Sequence, residues 1–268
     1  MMIKRNFDLL ERYQALYPDK EDALCFKQKG VWKKFSTRDY ILNAGSIACG
    51  LLEMAYCKGD KIVTVSGNRP EWNMIDLGMA MAGLVHVPVF TSLNTEDYSY
   101  ILEHSDARAV IVSDQKMYRA VAEAVQASKS KLDVFSIDPV EGLRNWTEIL
   151  ELGRINEARH RPVLEEIKAG IQPDDLASLI YTSGTTGKAK AVMLTHRNLV
   201  SNFLSAASVF QLNPSDNYLS ILPLCHVGGR LGNYQTQYSG ASIYYAENMG
   251  TIARDLADIR ADGFDAVP

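Results

Sequence analysis

The sequence predicts an α/β fold of mostly parallel sheets with flanking helices, arranged as two packed lobes. Three observations lead there. Short β-branched runs alternate with longer stretches of helical period, the signature of βαβ units. The chain has 268 residues, 47% of them hydrophobic, which is enough to bury a sizeable core. No internal repeat and no low-complexity tract interrupts the alternation.

The elements follow in order. Ser36 and Thr37 offer an N-cap ahead of Ile41, Ala44, Ala48, Leu51 and Leu52, which share one helical face, and Gly59 with Asp60 ends that helix. A strand over 61–66 comes next. Asn68 and Pro70 suit the cap and first turn of a helix through Trp72, Ile75, Leu77 and Met81 to Gly83, after which 86–90 is a strand. Thr95 opens a helix to about 103, 109–113 is a strand, 115–127 a helix and 132–137 another strand. Residues 146–170 are charged and helical, as expected of a surface connector. This makes residues 1–170 a first α/β lobe with a helical connector.

Pro173, Asp174 and Asp175 begin a second lobe over 171–268: strand 177–181, a Gly/Thr-rich loop, strand 192–195, helix 198–210, strand 218–222, strand 241–246 and helix 251–260. Phe264 to Pro268 reads as the entry of a further strand, so this lobe is expected to be incomplete at its C-terminal end.

Charge excludes one class of partner. Lys and Arg total 28 against 32 Asp and Glu, a net charge of -4, and no basic run offers a nucleic-acid footprint. The four cysteines, Cys25, Cys49, Cys57 and Cys225, lack metal or C-x-x-C spacing and read as buried reduced thiols. The first ten residues carry no apolar leader segment, and no run approaches the ~20 apolar residues of a membrane span. A cytoplasmic protein is expected, with peripheral contact to a membrane compatible with the sequence and the oligomeric state left open.

The segment richest in chemistry is Tyr181 to Lys190, with five hydroxyls, two glycines and two lysines directly after an apolar strand. Gly184 and Gly187 free the backbone to turn N–H groups toward one centre, Thr182, Ser183, Thr185 and Thr186 add donors, and a lysine supplies point charge. Such a loop suits polyphosphate. The same composition also suits a solvated turn between two strands. It is not the G-x-x-x-x-G-K-[ST] loop, and neither G-x-G-x-x-G, G-x-S-x-G nor H-E-x-x-H occurs in the chain.

Residues 179–202, LIYTSGTTGKAKAVMLTHRNLVSN, closely resemble the phosphate-loop signature of the adenylate-forming superfamily of acyl-CoA synthetases, peptide-synthetase adenylation domains and luciferases. Residues 59–114, LPLCHVGGR at 222–230 and residues 240–268 look like the long-chain fatty-acyl-CoA ligase branch. The resemblance implies the N-terminal part of the adenylate-forming fold. It also implies a two-step ligase: a carboxylate attacks the α-phosphorus of ATP, pyrophosphate leaves, and the thiol of coenzyme A then attacks the acyl-adenylate. By position in the motif, Thr182, Ser183, Gly184, Thr185, Thr186, Gly187 and Lys190 would hold the β- and γ-phosphates with Mg²⁺. The loop departs from the family pattern at Ala189, commonly Pro, and Ala191, commonly Gly.

The same resemblance makes His226 a candidate at the reaction centre, and Gly228 and Gly229 candidates for the acyl site. A histidine hydrogen-bonded at a strand end is the alternative for His226. His196 is expected to pin the loop-to-helix connection, and Tyr244 and Tyr245 to face opposite sides of a strand. The family's aromatic-Gly-x-Thr-Glu and Thr-Gly-Asp segments and its C-terminal catalytic lysine do not occur in these 268 residues. The expectation is an N-terminal portion of a fatty-acyl-CoA ligase, inactive alone. An adenylating ligase for another carboxylate or for an acyl-carrier protein, or a non-catalytic nucleotide-binding module, are the rival readings.

Overall fold

The computed structural model describes residues 2–182 and 188–266. Its strands, in chain order, are β1 (Leu24–Gln28), β2 (Val31–Phe35), β3 (Lys61–Val65), β4 (Val85–Val89), β5 (Ala107–Val112), β6 (Asp133–Ser136), β7 (Arg144–Asn145), β8 (Leu176–Thr182), β9 (Lys190–Thr195), β10 (Asn217–Ser220), β11 (Ser242–Tyr245) and β12 (Gly263–Phe264). The helices are α1 (Asp8–Leu16), α2 (Thr37–Glu53), α3 (Pro70–Met81), α4 (Thr95–His104), α5 (Gln115–Ala127), α6 (Thr147–Ile155), α7 (Glu157–Gly170), α8 (His196–Val209), α9 (Val227–Ser239) and α10 (Ile252–Ile259). A mixed α/β architecture with mostly parallel sheets is what the alternation predicts.

The chain divides into two compact units, and the division differs from the expected boundary at 170. One unit comprises residues 1–44, 68–74 and 196–268, and the other residues 45–67 and 75–195. Pairing explains the difference. β8 joins β4 in parallel through His86↔Ser178, so the strand expected to open a new lobe extends the sheet already begun. Conversely β1 pairs in parallel with β11 through Leu24↔Ile243, which ties the start of the chain to its last quarter.

The larger sheet, wholly within the second unit, has the order β7-β6-β5-β3-β4-β8-β9, and only β8 and β9 run antiparallel in it. Its central strands are buried on both faces, as parallel strands covered by crossover helices should be. Val63 and Val65, Val87 and Val89, and Val110 and Val112 alternate onto one face and meet Tyr98, Ile101 and Leu102 of α4 and Met117 and Val121 of α5. Both helices start on side-chain caps: Asn94 Oδ1 accepts from the Asp97 amide at 2.8 Å, and Asp114 Oδ1 from the Lys116 amide at 2.8 Å. The 146–170 connector is the predicted helical segment, α6 followed by α7. Gly153 of α6 faces Ser46 and Gly50 of α2 so closely that a Cβ there would lie 2.7 Å from the Ser46 carbonyl carbon and 2.8 Å from the Gly50 nitrogen.

The smaller sheet, within the first unit, has the order β12-β10-β11-β1-β2. β1 and β2 form a hairpin whose two turn residues, Lys29 and Gly30, both have positive φ, 52° and 79°. That geometry twists with the strands it joins. Tyr244 and Tyr245 do face opposite sides. Tyr244 lies edge-on to Trp32 at 5.0 Å, while the Tyr245 hydroxyl accepts from Asn73 Nδ2 at 2.5 Å and donates to Asn233 Oδ1 at 2.9 Å. Of the four thiols, Cys25, Cys49 and Cys225 are buried as expected and Cys57 is exposed. Among the described residues, no helix is long and apolar enough to cross a membrane.

Candidate functional site

The Gly/Thr-rich segment connects β8 to β9, a hairpin at the edge of the larger sheet. Its ladder runs through Tyr181↔Ala191 to Thr182↔Lys190, the last pair before the connection. Thr182 and Lys190 are therefore cross-strand partners at its mouth, both exposed. Ser183, Gly184, Thr185, Thr186 and Gly187, also predicted to contact phosphate, lie outside the described residues. Ala189 and Ala191, where the sequence departs from the family pattern, are partly buried against the valine core beneath the sheet. The methyl of Ala191 does not pry the strands apart, since the ladder continues past it.

Both ends of the connection touch α4. Tyr181, 7% exposed, shares a 2.8 Å hydrogen bond between its hydroxyl and His104 Nδ1. Burial, with Tyr100 nearby adding to it, pushes the Tyr181 hydroxyl up to about 12, so it stays neutral and able to donate at physiological pH. At the other end the Lys188 ammonium sits 5.3 Å over the Tyr100 ring. Beside it a cleft of about 260 Å³ is lined by Tyr100, Glu103, Ala124, Ser128, Lys188 and Ala189. Sequence reasoning missed Tyr100 and His104, whose helical spacing says only that they share a face.

In the other unit, the turn at 221–226 is built around a residue that sequence reasoning took for a helix cap. Asn68 Nδ2 donates to the Leu222 carbonyl at 2.7 Å and to Ser220 Oγ at 3.2 Å, and its Oδ1 accepts from the Leu224 amide at 3.0 Å. This clamp fixes the approach to His226, which is exposed and caps α9: its Nδ1 accepts from the Gly228 amide at 3.1 Å. With Nδ1 committed as acceptor, the neutral ring carries its proton on Nε2, where it can donate. His196 pins the start of α8 as expected, with Nδ1 2.8 Å from Asn6 Oδ1 in a buried contact.

The AMP-binding enzyme pattern matches residues 10–268. The chain belongs to the AMP-binding enzyme family. Among curated relatives, it is 28% identical over 236 residues to the Arabidopsis thaliana protein named long chain acyl-CoA synthetase 6, peroxisomal, a match covering 83% of this chain and 32% of that one. It is 29% identical over 234 residues to fatty acyl-CoA synthetase A of Dictyostelium discoideum, covering 79% of this chain and 34% of the relative. The chain thus spans about a third of the length of the curated relatives it matches. In fold it is similar to VinN, solved with L-aspartate, at a TM-score of 0.79 and 20% identity, covering 98% of this chain and 62% of VinN. A Mycobacterium tuberculosis fatty acyl CoA synthetase superposes at 0.78 and 20% identity, covering 99% of this chain and 49% of the other.

The two glycines assigned to the acyl site separate on inspection. A Cβ at Gly229 would lie 2.6 Å from the Leu222 carbonyl oxygen and closer still to that of Pro223, so backbone approach of α9 to its preceding turn already requires glycine there. A Cβ at Gly228 would meet only the His226 ring, at 3.3 Å from Nδ1. Gly229→Ala is expected to cost about 1–3 kcal/mol despite the better helix propensity of Ala. Gly228→Ala should be neutral or stabilising. Urea midpoints of the two variants check this, and equal midpoints would show that α9 shifts freely.

One buried arrangement in the chain has the order of a hydrolytic triad. Asp76 Oδ1 is 2.7 Å from His86 Nδ1, and His86 Nε2 is 2.7 Å from Thr64 Oγ1. All three side chains are buried, with no more than 3% exposure, so no substrate reaches Thr64. The trio is a satisfied polar contact between α3 and the sheet.

Proposed function

We propose that this chain is the N-terminal, ATP-activating part of a fatty-acyl-CoA ligase acting on long-chain acids. The carboxylate attacks the α-phosphorus of ATP, the bond to the β-phosphate oxygen breaks, and pyrophosphate departs with the electron pair. Coenzyme A thiolate then displaces AMP from the acyl-adenylate. Thr182 to Gly187 and Lys190 hold the β- and γ-phosphates, offsetting charge as it builds on the leaving pyrophosphate.

The observation that carries this reading is the hairpin itself, which presents Thr182 and Lys190 side by side at the mouth of the Gly/Thr loop. Among the described residues no three His, Cys, Asp or Glu side chains converge on a metal position. Mg²⁺ would enter with the phosphates, whose oxygens it prefers. His226, exposed and held at the start of α9 by the Gly228 amide on its Nδ1, is assigned to the reaction centre, and Gly228 to the border of the acyl group.

The isolated 268-residue chain is expected to bind pyrophosphate and MgATP in calorimetric titrations yet to give no ATP–pyrophosphate exchange, because the segments for adenine, ribose and the final lysine are not in this sequence. Exchange by the pure chain above a loop-mutant control would overturn its division of labour. For the complete ligase, exchange that rises with fatty-acid length supports the long-chain assignment. Exchange highest with short or amino-acid substrates would reassign the enzyme within its family.

A further inference from the structure

We propose that Tyr100 and His104 of α4 are positioning residues for the phosphate loop, holding both of its feet, and that Lys188 belongs to this clamp and not to the phosphate site. The inference rests on the phosphate reading of the loop given above. Tyr100 and His104 lie four residues apart on one helical face, with ring centroids 5.1 Å apart. Tyr181 immediately precedes Thr182, the first predicted phosphate residue, and Lys188 immediately follows Gly187, two positions before Lys190. His104 takes the first foot through the 2.8 Å contact with the Tyr181 hydroxyl, backed by edge-on packing of the two rings at 5.7 Å. Tyr100 touches both feet: its ring stands perpendicular to Tyr181 at 6.4 Å and carries the Lys188 ammonium at 5.3 Å.

A clamp works only if its base is fixed. α4 is capped by Asn94 and anchored in the core by Tyr98, Ile101 and Leu102, and the Tyr98 hydroxyl donates to the Phe90 carbonyl at 2.9 Å. The two lysines then have separate work. Lys188 lies over an aromatic face and lines the neighbouring cleft, whereas Lys190 is exposed opposite Thr182 at the mouth of the loop. The clamp also offsets the departure at Ala189. A proline there would restrict the chain before binding, and holding both feet removes some of the same freedom from outside the loop.

Calorimetric titration of the 268-residue chain with pyrophosphate and with MgATP tests this. Tyr100→Leu, His104→Leu and Lys188→Met are each expected to weaken binding about 2- to 10-fold, the range of one cation–π contact or one hydrogen bond. Tyr100→Phe, His104→Gln and Lys188→Arg keep a ring, a hydrogen-bonding group and a cation respectively, and should restore it. Thermal midpoints monitor folding, and the exposed Lys188 pair carries the test should a leucine variant unfold. Wild-type affinity in Tyr100→Leu, His104→Leu and Lys188→Met, alongside weakening in Thr185→Val and Lys190→Met, overturns the clamp and leaves the phosphate site standing. Conservative variants as weak as the disruptive ones reduce the contacts to packing and also overturn it. Wild-type affinity in Thr185→Val and Lys190→Met overturns the phosphate reading itself.

Discussion

Replacing Thr185 by Val, or Lys190 by Met, is expected to slow ATP–pyrophosphate exchange by the complete ligase by ~10²-fold or more per donor removed. The physical reason is where charge appears. As the bond between the α-phosphorus and the bridging oxygen breaks, negative charge accumulates on the departing pyrophosphate, and only groups aimed at it lower the barrier. A hydroxyl lost at 185 removes one such donor at nearly constant volume. A methionine at 190 keeps the stem of the lysine and removes its charge. Because Lys190 is exposed, its removal should change folding stability by less than about 0.5 kcal/mol, so lost exchange would report chemistry and not unfolding. Exchange rates within twofold of wild type in both variants would return the segment to an ordinary solvated turn.

The parts of the fold that were legible in the sequence are those whose residues face the same environment on both sides. Ile62 to Val65, but for Thr64, and Ala109 to Val112 are apolar because helices cover both faces of the sheet, and they are strands as predicted. The β1–β2 hairpin was missed because Lys27, Lys33 and Lys34 break up its apolar pattern. Its signal was Lys29-Gly30, a two-residue turn of the kind that needs positive φ. Helix α9 was missed for the opposite reason: Gly228, Gly229 and Gly232 read as loop, yet Gly229 packs against the carbonyls of the preceding turn and Gly232 faces Tyr218 and Asp265. The phosphate role proposed for the Gly/Thr loop rests on its composition and on family resemblance. Its supports are legible in neither, since His104 and Tyr181 are 77 residues apart and only the fold brings them together.

Lys27→Met is expected to be among the most destabilising single changes in the chain, by about 3–5 kcal/mol, the usual result of leaving one member of a buried ion pair alone. Lys27 of β1 places its ammonium 2.6 Å from Asp255 Oδ1 and 2.6 Å from Asp258 Oδ2 of α10, and the Asp255 side chain has no exposed surface. Burial by itself would raise the Asp255 carboxyl. The bonds from Lys27, the Thr251 hydroxyl and the Glu247 amide outweigh it and hold the carboxyl below its ordinary value. A carboxyl depressed on folding contributes stability that is complete above its unfolded value of about 3.9 and is lost as pH falls through the folded value. Wild-type stability should therefore decline on acidification below about pH 4. In Lys27→Met the desolvation is left without its cation, the carboxyl moves up instead of down, and acid relieves the strain by protonating it. The stability gap between wild type and variant should narrow as pH falls from 7 toward about 4, and Lys27→Met/Asp255→Asn should recover part of the loss at pH 7. Urea denaturation across that range checks the sign: a gap that stays constant or widens on acidification would mean that Asp255 does not carry the charge Lys27 neutralises.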